Sequence, residues 1–254
     1  VGVSVVLSLL LVYYSRIRRI QLTTSASRKF HLIFVVLIGF GFIFLEITFI
    51  QKFLLLLGTP IMALTVILFS ILLSSGIGAY LSGRLFSKNP YKAVVISIPL
   101  LATIVLIYYN FLSVIIDRGI ILELYQRIAL TFVLLSPAGL LMGFQFPSIT
   151  RMASSSSSSL AMHSSQKQKS TTTSATATTL TTTAANDDIT LLWGVNVIAS
   201  VVGTVLTAIS SMVIGFNGNL LVGLGVYLAA LTSAIAAARI TTKTKSKRQS
   251  GGGY

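Results

Sequence analysis

Long apolar runs separated by short polar clusters organise this chain. The first run, Val1 to about Tyr14, is too short to span a bilayer unless its beginning is missing. It opens mid-run without Met, so the chain reads as a fragment. A basic stretch follows, with Arg16, Arg18, Arg19, Arg28 and Lys29. The second run goes from near Phe30 to about Leu57, interrupted by Glu46, Gln51 and Lys52, and Gly58-Thr59-Pro60 predicts its end. The third covers Ile61 to about Leu81 and closes on Ser82-Gly83-Arg84. The fourth covers about Ala93 to Ile116, the fifth about Ile128 to Phe146, and the sixth about Ile189 to Ile214. Phe216-Asn217-Gly218-Asn219 predicts a tight turn, and a seventh run extends from Leu220 to about Ala238. The predicted fold class is all-α: a polytopic transmembrane helix bundle of about seven helices.

Residues 1–29 are expected to be a truncated transmembrane helix and a basic cytoplasmic loop, and 30–152 to be bundle helices two to five. Residues 153–188, rich in Ser, Thr and Ala, hold too few large apolar side chains to offset the entropy of ordering, and are expected to be a disordered cytoplasmic loop. Residues 189–239 complete the bundle with helices six and seven, and 240–254 form a basic cytoplasmic tail.

Composition narrows the class. The chain is 54% hydrophobic and 9% charged, with a mean hydropathy of +0.89, which leaves too little charge to cover a soluble domain. The net charge of +14 does not indicate nucleic-acid binding, because the basic residues cluster between apolar runs, as they do where charge sets membrane topology. With the loop after the first helix in the cytoplasm, only Lys52, Arg118 and Arg127 fall on the far side. The C-terminal tail is then cytoplasmic in a multi-pass cell-membrane protein. There is no Cys, and His31 and His163 stand apart and unaccompanied, so no metal site is expected. No phosphate loop, metal pair or nucleophile elbow is visible, so no catalytic residue and no cofactor are assigned.

Glu46 is the only acid inside an apolar run. A charge in hydrocarbon is costly, so such residues face a bundle interior or a cavity. One reading makes Glu46 a proton-coupling or cation-binding carboxylate; the other makes it polar glue between helices. Gln51 and Lys52 follow one to two turns on, with Lys52 suited to snorkel to the outer interface. Ser74, Ser75, Gly76, Gly78, Ser82 and Gly83 suggest close helix packing, with Arg84 anchoring the helix end. Met142-Gly143-Phe144-Gln145-Phe146-Pro147 suits either a broken helix or a plain terminus. Trp193, Asn196, Ser200 and Gly203 share one helix face, and Asn196 is a candidate partner for Glu46 or a bundle-holding hydrogen bond.

Leu45-Glu46-Ile47-Thr48-Phe49-Ile50-Gln51-Lys52-Phe53, followed by Leu57-Gly58-Thr59-Pro60, resembles a stretch in the membrane part of spermidine synthase-like proteins fused to major facilitator-like helices. So do Leu73-Ser74-Ser75-Gly76-Ile77-Gly78 with Ser82-Gly83-Arg84, Met142-Gly143 with Phe146-Pro147, and Trp193-Gly194-Val195-Asn196 with Ser200-Val201-Val202-Gly203. The resemblance covers about Phe30 to Ala238, except the Ser/Thr loop. It implies that the last six helices form one major facilitator half, and that a soluble aminopropyltransferase-type domain precedes them. It transfers no catalytic residue. Gly78, Gly83 and Arg84 fall where that superfamily keeps a Gly/Asp/Arg motif, although the Asp is absent. The implied function is transport or sensing of a polyamine or small cation, with Glu46, Gln51, Asn196 and Gln145 binding substrate. The alternative is a passive anchor for the synthase domain. Expected partners are the bilayer, a second membrane half or homodimer, and the synthase-like domain.

Overall fold

The computed structural model describes residues 26–145, 147–148, 150–151 and 174–250. Side chains are described within 32–151 and 190–236. The predicted first run, Val1 to Tyr14, lies outside the described residues, so the count of seven helices and the major facilitator half are not established.

Among the described residues the fold is all helix. α1 is Ala26–Leu57, α2 Pro60–Leu85, α3 Pro90–Gly119, α4 Leu124–Gly143 and α5 Ser174–Ser250. Five segments within them are long and apolar enough to cross a membrane: Leu32–Leu57, Pro60–Leu85, Pro90–Gly119, Leu124–Gly143 and Thr190–Ala236. This is the architecture of an integral membrane protein.

Local chemistry fixes the joints. Gly58, at φ 79, ends α1 in the left-handed conformation that only glycine adopts without cost, and its N–H bonds the Leu54 carbonyl at 2.9 Å. Proline then starts both α2 and α3, where its missing N–H is harmless. Glu123 caps α4 through a reciprocal box with Gln126.

The last apolar segment is 47 residues long, which would reach about 70 Å as a straight helix, twice a hydrocarbon core. It does not stay straight. Gly215 has φ 72 and ψ 174, and the chain folds back there into a hairpin. We call residues 174–214 arm α5a and 216–250 arm α5b. The predicted turn at Phe216–Asn219 is thus displaced: those residues begin α5b, and the reversal falls on Gly215, where a positive φ is free of strain. Residues 174–188, expected to be disordered, are helical. Their alanines and Leu180 extend a helix already nucleated by the membrane arm, and propagation is cheap once a nucleus exists. Residues 152–173 lie outside the described residues.

Contacts set the directions of the helices. α5a runs parallel to α1: Gly39 abuts Asn196, and Gln51 meets Ser211. α5b runs antiparallel to it, with Gly41 against Tyr227 and Gly223 against Leu45. α2 and α4 are parallel and backbone-close, Gly139 against Ile71 and Ser74, Gly143 against Ser75 and Gly78 against Leu140. α3 lies between, Tyr108 stacking edge-on to Phe49 of α1 and donating its hydroxyl to the Leu134 carbonyl of α4. The α2–α3 turn, the end of α4 and the start of the membrane segment of α5a therefore gather at one end, the basic end, with Arg84, Lys88, Lys92 and Arg151. Lys52, Arg118 and Arg127 lie toward the other.

Candidate functional site

α1 is the most enclosed of the five segments, and it carries two buried ionisable residues, Glu46 and Lys52. Glu46 is 8% exposed. On a helix it shares a face with Gly39, Phe49 and Phe53, three or seven positions away. Gly39 meets α5a and Phe49 meets α3, so Glu46 faces the junction of α1, α3 and α5a. Among the described residues no hydrogen bond to its carboxyl is formed. Tyr227 of α5b is fully enclosed, its ring lies against Gly41, and its hydroxyl has no partner.

The four proposed substrate-binding residues are not gathered into one pocket. Asn196 packs against Gly39, not Glu46, and its Oδ1 is buried without a partner. Seven residues of α1 separate those levels, about 10 Å of helical rise. Gln51 instead joins the hairpin. Its Oε1 accepts from Ser211 Oγ at 3.0 Å, and that hydroxyl accepts from Asn219 Nδ2 at 2.6 Å. Asn219 also donates to the Thr207 carbonyl at 3.2 Å and accepts from Ser210 at 2.7 Å. Lys52, expected to snorkel outward, is buried and donates to Asn217 Oδ1. Gln145 is fully buried beyond α4, and neither of its amide atoms has a partner.

The small-residue pattern divides by face. A side chain at Gly78 would collide with the Leu140 carbonyl, and one at Gly83 would sit 2.8 Å from the Arg151 guanidinium. Gly76 faces open space, on the side of α2 away from α4. Arg84 is exposed at the helix end. Ser82 bonds Phe144 and Ser148 across the α2–α4 crossing, at 3.2 and 3.0 Å.

Sequence reasoning missed Tyr227, Asn219 and Arg127. Arg127 donates to the carbonyls of Leu56 at 3.3 Å and Leu122 at 2.8 Å, and to that of Ile120. It thereby closes the carbonyl ends of α1 and α3 together. A lone Arg four residues after an acid reads as a solvated loop charge, and no sequence signal marks the carbonyls it reaches.

Two grooves lie between α2 and α4, one lined by Phe69, Tyr125, Phe132 and Val133, the other by Ile77, Phe132, Val133 and Leu140. Both are apolar and face outward. Among the described residues no cluster of His, Asp or Glu could hold a metal. No protein family, curated protein or solved structure matches the chain.

Proposed function

We propose that this chain is a transporter-like membrane domain that moves or senses a small cation, with Glu46 as the cation-facing carboxylate. One observation carries this reading: a carboxyl group deep in a membrane-spanning helix, with no hydrogen-bond partner among the described residues. A carboxylate left so inside hydrocarbon costs several kcal/mol, on the order of 3 or more, and serving only to hold helices together would require a partner. The hydroxyl of Tyr227, also buried without a partner against the same helix, offers a cationic ligand a second polar contact. The resemblance to the membrane part of spermidine synthase-like fusions makes polyamines the first ligands to test. The charge asymmetry supports a cytoplasmic basic end and C-terminal tail.

The anchor reading is favoured by a separate observation. Asn196 and Gln145 lie apart from Glu46, and Gln51 is engaged by the hairpin. In that reading the chain holds an aminopropyltransferase-type domain at the membrane. Binding of spermidine and putrescine to the purified, detergent-solubilised chain decides between them. Saturable binding lost in Glu46→Gln supports the cation site. Absence of binding by a folded wild-type chain supports the anchor.

A further inference from the structure

α3 turns one stripe to the bundle and the opposite one to lipid. Val94, Leu101, Val105, Tyr108, Leu112 and Ile116 form the buried stripe. Thr103, Leu106, Asn110, Ser113 and Asp117 are exposed and follow one another at three or four residues, so they share the outer face.

Asn110 places a side-chain amide on that face at hydrocarbon depth. It lies about 12 Å of helical rise from Arg118 at one end of the span and about 27 Å from Lys92 at the other. Its Nδ2 donates to the Leu106 carbonyl of its own helix at 2.8 Å. The second amide hydrogen and Oδ1 make no bond among the described residues. The helix itself cannot supply Oδ1, because every N–H at mid-helix is already given to the carbonyl four residues back. Exposed hydroxyls elsewhere in the spans fold back onto their own helix, Thr65 to Ile61, Ser75 to Leu72 and Thr204 to Ser200. The amide has no such remedy, and a lipid tail offers neither donor nor acceptor. A second helix that supplies both removes the deficit.

The chemistry of the amide selects that helix. Copies of this chain share one orientation, set by the same basic segments. Across a two-fold axis along the membrane normal, each position of α3 therefore meets its own counterpart at equal depth. A carboxamide is donor and acceptor at once, so it is complementary to another copy of itself. No charge interrupts α3 between Lys92 and Asp117, and the exposed Leu106, Ile107 and Val114 surround Asn110 with apolar side chains that can interdigitate.

We propose that the outer face of α3 is a self-association surface, on which Asn110 bonds Asn110 of the partner subunit in a parallel two-fold dimer. The surface stands apart from Glu46, which lies on another helix, and goes beyond the cation reading.

The sequence contains no Cys, so disulfide trapping of the full chain reports cleanly. Leu106→Cys keeps Asn110 and lies on the same face. Phe69→Cys is the control, exposed on α2 at a similar depth, about 13 Å from Pro60. Each is reconstituted at low protein-to-lipid ratio and oxidised with copper phenanthroline. Leu106→Cys is expected to form a linked dimer about tenfold faster than Phe69→Cys or more, since a disulfide needs two Cα atoms within about 7 Å. Adding Asn110→Leu should slow it to the control rate, and adding Asn110→Gln, which keeps the amide, should slow it less. Equal rates for Leu106→Cys and Phe69→Cys overturn the proposal, as does trapping that Asn110→Leu leaves unchanged. A second readout does not depend on how Asn110→Leu folds. Chains wild type at Asn110 carry donor or acceptor dyes at Lys88→Cys, and energy transfer between them should exceed random proximity and fall on dilution with lipid. Transfer no greater than random proximity overturns the dimer. In native membranes, trapping of Leu106→Cys to a different protein in place of its own copy overturns the second copy as occupant.

Discussion

Asn219 donates a hydrogen bond to the carbonyl of Thr207, twelve residues earlier in the chain, at 3.2 Å. In an unbroken helix those residues would stand about 18 Å apart. The bond exists because Gly215 reverses the chain, and with Ser211 it fixes how closely the two arms of the hairpin approach. Asn219→Ala should destabilise the chain by about 1–3 kcal/mol, since it removes the side-chain hydrogen bonds to Ser210, Ser211 and the Thr207 carbonyl from the buried joint of the two arms. Asn219→Asp should do no better, because it cannot donate to Ser211 or to the Thr207 carbonyl. Thermal unfolding in detergent checks both.

Gly215→Ala should cost about 1–2 kcal/mol, because an alanine resists the positive φ there. Gly194→Ala is the contrast. It lies within a helix with open space beside it, and the gain in helix propensity should leave stability equal or raised by up to about 1 kcal/mol. Melting temperatures of the two variants should move in opposite directions or at least separate clearly.

The spans were legible in the chain, and their partners were not. Hydropathy records that a segment leaves water, so α1 to α4 and the apolar part of the hairpin, Thr190–Ala236, were found to within a few residues, while the polar outer ends of both arms were not. It does not record which helix lies beside which. The pairing of Gly143 with Ser75, and of Gln51 with Ser211, needed the assembled bundle. The Asn-Gly-Asn run after Phe216 carries a strong turn signal. Tertiary bonds from Asn217 and Asn219 held those residues in the helix and left the reversal to Gly215. Glu46 was found because it is an acid among apolar residues; its expected partner Asn196 was not brought to it, because helical spacing fixes a face but not a depth.

The α2–α4 crossing should be the least tolerant surface of the bundle. Gly143→Ala drives a methyl group into the Ser75 carbonyl, and backbone cannot yield as a side chain would. A loss of about 1–3 kcal/mol is expected. Gly76→Ala, pointing away from α4, should be neutral. Resistance to unfolding in mixed micelles distinguishes them.

Arg127→Met keeps much of the stem length and removes the donors to three carbonyls. Stability should fall by about 1–3 kcal/mol. Arg127→Lys should recover only part, since an ammonium cannot span carbonyls as the planar guanidinium does. Hydrogen exchange at the end of α1 should rise in Arg127→Met.

Tyr227→Phe removes a buried hydroxyl that has no partner. Without ligand the variant should be as stable as wild type or more stable by up to about 1 kcal/mol. If Glu46 and Tyr227 share a cation, the same variant should bind it more weakly. Stability and binding measured together therefore move in opposite senses.

The pairing of α1 with the hairpin has a consequence for how the chain is made. Lys52 and its acceptor Asn217 are 165 residues apart, and Gln51 waits 160 residues for Ser211. Synthesis runs from α1 toward the hairpin, so the ribosome delivers the spanning helix that carries Glu46, Gln51 and Lys52 long before its partners. Until the last two crossings enter the bilayer, Glu46, Gln51 and Lys52 must be sheltered by the insertion machinery or by lipid headgroups. A nascent chain that stops before Gly215 would leave that helix an orphan, and cellular quality control would have an acid and a base in the wrong solvent by which to recognise it.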